Sequence, residues 1–455
     1  MYLFVFILEN ARNLRYLTYL VAELQYVILL RSIKLNHINP MKYIKRISIA
    51  CLLSSSFLTF AQTDTAKVAK DTVKENFSIS GYLDSYYFTN LNNPASRNNM
   101  GQKDINVGRG FDRYADQFSL GMVQTVFKYT TSNSEAVADL AFGPNAQYGN
   151  YGNNPFGFKI GSDVISGLMI KQAYFKYNWT EKFSTTVGQF ATHIGYEYID
   201  APLNFHYSIN HTFNSGIPFY HTGLKANYKF NDKWSLMAGV VNGFDHLDDN
   251  NRAKGIISQL SFTPKEGVSI YFNYITSNEA DADALGKTPK ANFSVYDLNG
   301  AWQATEKFML GFWGMVGHQN GPVGAPGVFI PVDGIQDKKQ FWGGANIYAA
   351  WKFNDVFTLG LRSEYFDNKQ GVRGLRNIDA VAANKQIGAD VYTFTLTGNV
   401  TLANGHILLK PEARFDQWSK VKGVGNENSQ QFMDKDGKYS KSNQTTIGLA
   451  MIYKW

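Results

Sequence analysis

Histidines and carboxylates gather in one short stretch of this chain. His206, His211 and His221 fall within 16 positions, with Asp200 nearby. Imidazoles and a carboxylate can hold a transition metal, but the spacing matches no zinc motif, so no metal is expected. Ser208 and His211 could serve as nucleophile and base only by proximity. There is no G-x-S-x-G elbow, no H-E-x-x-H and no P-loop, so neither catalysis nor a cofactor is expected. Asp245, Asp248, Asp249 and Asn250 offer oxygens for Ca²⁺, yet the glycine and distal glutamate of an EF-hand are missing.

Other charged residues follow a strict alternation. Over 405–418, Lys410, Glu412, Arg414 and Asp416 oppose Ile407, Leu409, Ala413 and Phe415. Over 356–366, Thr358, Arg362 and Glu364 oppose Phe357, Leu359 and Leu361. Over 390–402, Thr393, Thr395, Thr397 and Asn399 oppose Tyr392, Phe394, Leu396 and Val400. A period of two is a β-strand whose faces meet different surroundings. An Arg or Lys facing lipid near the midplane costs roughly 2–4 kcal/mol. The charged faces are therefore expected inward, lining a water-filled lumen. The expected lining is Arg362, Glu364, Thr393, Thr395, Thr397, Lys410, Glu412, Arg414 and Asp416. Pro411 cannot donate its ladder hydrogen bond, which predicts a bulge there.

The last strand has the same character. Ile447, Leu449, Met451, Tyr453 and Trp455 form one bulky apolar face, and the interleaved residues are mostly small or polar. Such a face suits lipid on a strand that closes a barrel. Its aromatic end, Tyr453 and Trp455, resembles the sorting signal that barrel-assembly machinery reads on bacterial outer-membrane proteins.

These strands need a frame, and the turns supply a count. Seven short polar connections recur, at 131–135, 180–182, 231–233, 264–267, 305–307, 354–355 and 403–405. Eight longer stretches rich in Asn, Gly, Asp and Pro lie between them, near 92–115, 147–166, 198–216, 245–252, 279–290, 320–337, 370–387 and 420–440. Fifteen connections join 16 strands, so the expected fold is all-β, a transmembrane antiparallel up-and-down β-barrel of about 16 strands. Trp179, Trp234, Trp302, Trp351 and Trp455 all fall at the short-turn rim, as an interfacial aromatic girdle requires. The loop at 198–216 is the expected constriction. Its Asp200, Asn204, His206, Tyr207 and His211 are candidates to face the channel, while aromatic neighbours anchor it.

Composition agrees. Aromatics make up 15% of the 455 residues and charged residues 18%, below the usual quarter. No stretch reaches the roughly 20 apolar residues of a membrane helix. Of 44 Lys/Arg and 37 Asp/Glu, residues 1–61 hold seven and two, leaving a balanced 37 and 35 beyond them. That balance predicts weak ion selectivity and is no nucleic-acid footprint. From Met41 the chain reads as a secretory signal peptide (41–61) with Lys42, Lys45 and Arg46 ahead of an apolar core. Residues 1–40 then read as an over-extended start, 62–76 as a polar lead-in and 77–455 as the barrel. The single cysteine, Cys51, lies in the leader.

Several segments carry a family resemblance in order: Phe118-Ser-Leu, Lys171-Gln-Ala-Tyr-Phe-Lys-Tyr, Val187-Gly-Gln-Phe with Gly195-Tyr-Glu, Leu361-Arg-Ser-Glu-Tyr-Phe-Asp, and Lys410-Pro-Glu-Ala-Arg-Phe-Asp. Across most of 77–455 the chain resembles the OmpL-like β-barrel porin family of Gram-negative bacteria, and more distantly the phosphate-selective porins. The resemblance implies an outer-membrane channel with no catalytic residues. The expected activity is passive diffusion of small hydrophilic solutes and ions. A channel specific for a phosphate-like anion or an oligosaccharide, or a closed structural or adhesin barrel, is the alternative. The expected partners are outer-membrane lipid, the assembly machinery and the solutes themselves, with a homotrimer as one open assembly.

Overall fold

The computed structural model describes residues 75–97, 109–149, 157–160, 163–166, 169–249, 251–280, 291–320, 339–373, 388–419 and 431–455. The expected leader, nearly all of the lead-in and Asn250 lie outside the described residues.

Sixteen antiparallel strands close into one barrel. The first eight are β1 (Asn76–Asn90), β2 (Phe118–Thr130), β3 (Ser134–Phe142), β4 (Met169–Asn178), β5 (Phe183–Ala191), β6 (Tyr220–Lys229), β7 (Trp234–Val241) and β8 (Gly255–Phe262). The rest are β9 (Val268–Asn278), β10 (Asn292–Gln303), β11 (Phe308–Gln319), β12 (Gln340–Lys352), β13 (Phe357–Asp367), β14 (Asp390–Leu402), β15 (Ile407–Trp418) and β16 (Asn443–Lys454). Each pairs with its sequence neighbour, and β16 returns to β1 from Asn90↔Thr446 to Tyr82↔Lys454. Among the described residues, two short α-helices sit in long connections, α1 (Pro144–Gly149) and α2 (His211–Gly216). The strand count is the expected sixteen, with the seven short turns where the sequence places them. One boundary shifts: Ser134 and Glu135 open β3 rather than ending a turn.

Alternation sets the two faces. Ile447, Leu449, Met451, Tyr453 and Trp455 point outward, each 41–47% exposed, whereas Ala450 and Ile452 between them are buried. Trp179, Trp234, Trp302 and Trp351 are exposed near the short turns as well. An apolar outer belt with an aromatic rim is what a lipid-facing barrel presents.

The bulge expected at Pro411 does not form. The β14–β15 register is the same at Thr397↔Glu412 and at Val400↔Leu409, and pairing to β16 runs straight through Pro411↔Leu449. The β14–β15 pairing lapses between Thr397↔Glu412 and Val400↔Leu409, so the missing donor interrupts the ladder without shifting it, and Gly398, where a Cβ would lie 3.2 Å from the proline Cγ, leaves room for the ring. The register shifts fall instead between Leu83 and Ser85 and between Asp139 and Leu140.

Candidate functional site

The connection 192–219 between β5 and β6 turns into the barrel and seats on the inner faces of β12–β15. A loop in that position must satisfy its own peptide groups. Part of the answer is local: the Asn210 side chain accepts from the Phe213 N–H at 2.7 Å and caps α2. The wall supplies the rest. Glu412 accepts from the N–H of Tyr207 (2.8 Å) and of Ser208 (3.1 Å). Glu364 accepts from His211 N–H (3.0 Å), Thr212 N–H (2.7 Å) and the Thr212 hydroxyl (2.7 Å). In the other direction, Lys410 donates to the carbonyls of Ala201 (2.8 Å) and Asn204, and Arg414 to that of Ile209 (2.8 Å). Arg362 donates to the Ser208 carbonyl and to Glu197, both at 2.7 Å.

The threonine row holds those charges in place. Thr397 donates to Glu412 at 2.7 Å and Thr393 to Asp416 at 2.9 Å, while Thr395 accepts from Arg362 at 3.0 Å. The wall is also sculpted to the loop. Gly311, Gly344 and Gly360 are inward positions where a Cβ would overlap Tyr196, Thr212 and Phe205 respectively.

All nine residues expected to line the channel point inward, but none is more than 3% exposed. The loop covers them, so they form its seat and do not meet lumen water. The five constriction candidates lie in the lumen. Asp200 pairs with Lys171 of β4, and Asn204 accepts from Tyr198 N–H at 2.8 Å. His206 bonds Thr397 at 2.7 Å, the Tyr207 hydroxyl donates to Asp84 at 2.5 Å, and His211 meets Asp416 at 3.2 Å. The histidines of the 200–221 stretch are thus dispersed. His221, on β6, bonds Thr192 at 3.1 Å instead.

Sequence reasoning missed Glu197, which also accepts from Asn210 N–H at 2.8 Å and lies one residue outside the expected loop. It missed Asp84, whose place between Tyr82 and Tyr86 on the inward face of β1 was a readable signal. A second segment, from the long connection near 92–115, also enters. Arg109 donates to Thr446 at 2.8 Å and approaches Asp416 at 3.5 Å, and Gly110 N–H reaches Asn214 at 3.1 Å.

On the side facing β4–β8 the loop buries the wall less completely. His193, Tyr196 and Tyr198 at its start keep partial exposure, as do Gln172, Tyr174, Lys225 and Gln259 on the facing inner wall. Its exit is fastened beyond the strands. Asp245 accepts from the N–H groups of Phe219 and Tyr220, the latter at 2.9 Å, and burial pushes its carboxyl up to about 7. Next to it, His246 meets Glu279 at 2.9 Å. Burial alone would lower the imidazole, but the hydrogen bond and charge of Glu279 prevail and raise it.

The family described as "Putative beta-barrel porin-2, OmpL-like" matches residues 76–455. Among solved structures, the outer membrane channel DcaP of Acinetobacter baumannii is similar at a TM-score of 0.50 and 12% identity, over 85% of this chain and 99% of that one. The anion-selective porin from Comamonas acidovorans is similar at 0.50 and 10% identity, over 84% of this chain and 100% of that one. At such identities the likeness is one of fold. No curated protein matches the sequence.

Proposed function

This chain belongs to the OmpL-like β-barrel porin family and is an outer-membrane porin, and on that premise we propose how solutes pass through it. Small hydrophilic solutes and ions diffuse passively between the inward loop and the wall of β4–β8. One observation carries this reading: the loop covers the charged wall of β13–β15 completely but leaves polar, partly exposed side chains on the opposite side. Selectivity then comes from loop and wall chemistry, with no reaction step. Purified, folded protein in a planar bilayer should give stable ohmic conductance. Folded protein that never conducts would overturn the proposal.

The unbroken burial of 206–221 favours a narrow path and supports a closed structural barrel as the second reading. Liposome swelling by small sugars separates the two, because a closed barrel gives none. In the same proposal residues 41–61 are the export signal, Tyr453 and Trp455 address the chain to the assembly machinery, and the apolar belt meets outer-membrane lipid. The barrel acts as a channel and not as an enzyme, and trimerisation is compatible with it.

A further inference from the structure

The acids and bases of this barrel are not distributed alike. Those near the loop are consumed by its seat. On the contiguous wall β2–β6, on the turn side of Asp139 and Lys171, the inward positions carry four lysines and one carboxylate: Lys128, Lys176, Lys225, Lys229 and Glu135. Glu135 is already engaged, by Lys128 at 2.5 Å and by the Tyr174 hydroxyl at 3.0 Å. Lys229 turns to Asp232 in the short turn at 2.8 Å.

Lys225 is different. Among the described residues no carboxylate pairs with it, and its ammonium lies over the Phe190 ring, 4.3 Å from the centroid. A cation on an aromatic face keeps most of its charge available to a second partner. The register runs Lys176↔Thr186↔Lys225↔Gly239 on one inner row, and the buried Lys176 stands directly opposite Glu135, whereas Lys225 has only Thr186 and Gly239 across the ladder. Gly188, Gly223 and Gly239 surround Lys225 on the inner face and add no side chain over it. The row lies just beyond the loop, whose contacts to this wall, Asp200 with Lys171 and Thr192 with His221, are made five and four residues further from the turns.

We propose that Lys225 forms an anion-binding station just past the constriction, and that the channel prefers small oxyanions such as phosphate, sulfate and carboxylates. This rests on the open-channel reading above. It departs from the weak selectivity expected of a chain with balanced charge, because balance over the whole chain is not balance along the path. A fixed positive charge on a low-dielectric wall raises the local concentration of anions.

The test uses the full mature protein in planar bilayers under a potassium chloride gradient. Wild type should favour chloride over potassium, and Lys225→Glu should lower that ratio by about threefold or more. Lys225→Arg should preserve it. Inorganic phosphate should reduce the chloride current of wild type saturably, acetate more weakly, and Lys225→Gln should lose the block. Heat-modifiable migration on gels confirms that each variant is folded, and phosphate block of wild type needs no variant. A conducting wild type with no anion preference, or a folded Lys225→Glu with an unchanged reversal potential, overturns the station while leaving the porin reading intact. A silent wild type overturns the porin reading instead.

Discussion

Arg362 on β13 and Glu197 on the inward loop meet at 2.7 Å, with both side chains buried. The pair ties the start of the loop to the far wall, and Arg362 also holds the Ser208 carbonyl, further along the same loop. Breaking a buried pair from one side strands the other charge, at about 3–5 kcal/mol. Arg362→Met should therefore lower the temperature at which the heat-modifiable band unfolds and make single-channel current noisy. It should not produce the clean shift in reversal potential expected of a residue in contact with lumen water. A stable, quiet variant with altered ion preference would place Arg362 in the path.

Glu412 answers two consecutive N–H groups, and removing it leaves both buried and unsatisfied. Each orphaned donor costs about 1–3 kcal/mol. Glu412→Ala should admit protease to residues 205–210 in the folded barrel, whereas Glu412→Gln, which keeps one acceptor oxygen, should resist better. Limited proteolysis followed by mass mapping reads the difference.

Gly360 is the wall position against Phe205. Gly360→Val forces that ring away, since tight interiors do not absorb added methyl groups without movement. Conductance should change by about twofold, and Gly360→Val combined with Phe205→Ala should bring it back toward wild type. No rescue in the double variant would mean that the two residues do not touch.

Asp245 gives a pH dependence with a defined sign. Its folded carboxyl titrates at about 7, above the usual carboxylate value of 3.8, because it is buried. A group raised on folding stabilises most when protonated, below its unfolded value, and that contribution is lost as pH climbs toward 7. Barrel stability should fall between pH 4 and pH 7 for this group, and Asp245→Asn should flatten the curve. Urea unfolding at intervals across this range tests it.

Trp455 exchanges backbone hydrogen bonds with Gly81, its N–H donating at 3.1 Å and its carbonyl accepting at 3.2 Å. These bonds close the seam beside the β16–β1 ladder. Deleting Trp455 should reduce the amount of barrel recovered from the outer membrane, while Tyr453→Ala alone should have a smaller effect. Fractionation with folded-band quantification distinguishes them.

Much of this was legible because lipid enforces a simple rule. Where β14, β15 and β16 alternate apolar with polar, the period of two reveals both the strand and its outer face, and the short turns reveal the count. The same alternation correctly turned Arg362, Glu412 and Arg414 inward. It could not reveal what covers them, because facing inward is a property of one strand, whereas burial depends on a loop some 150–200 positions away in sequence. Glu197 escaped for that reason, its partner being 165 residues further on. Arg109 escaped because a polar, glycine-containing segment reads the same whether it lies outside a barrel or folds into it. Pro411 misled because a missing donor was judged without its neighbour, Gly398.

The bare positions Gly311, Gly344 and Gly360 carry an implication for grafting and for descent. They are a cast of the loop, taken in the scaffold that holds it. Residues 192–219 moved into another sixteen-stranded host would collide with ordinary side chains unless these three vacancies travelled with them. Lengthening or reshaping that insert should therefore demand matching changes more than 100 residues downstream, so the aperture and its casing must drift together.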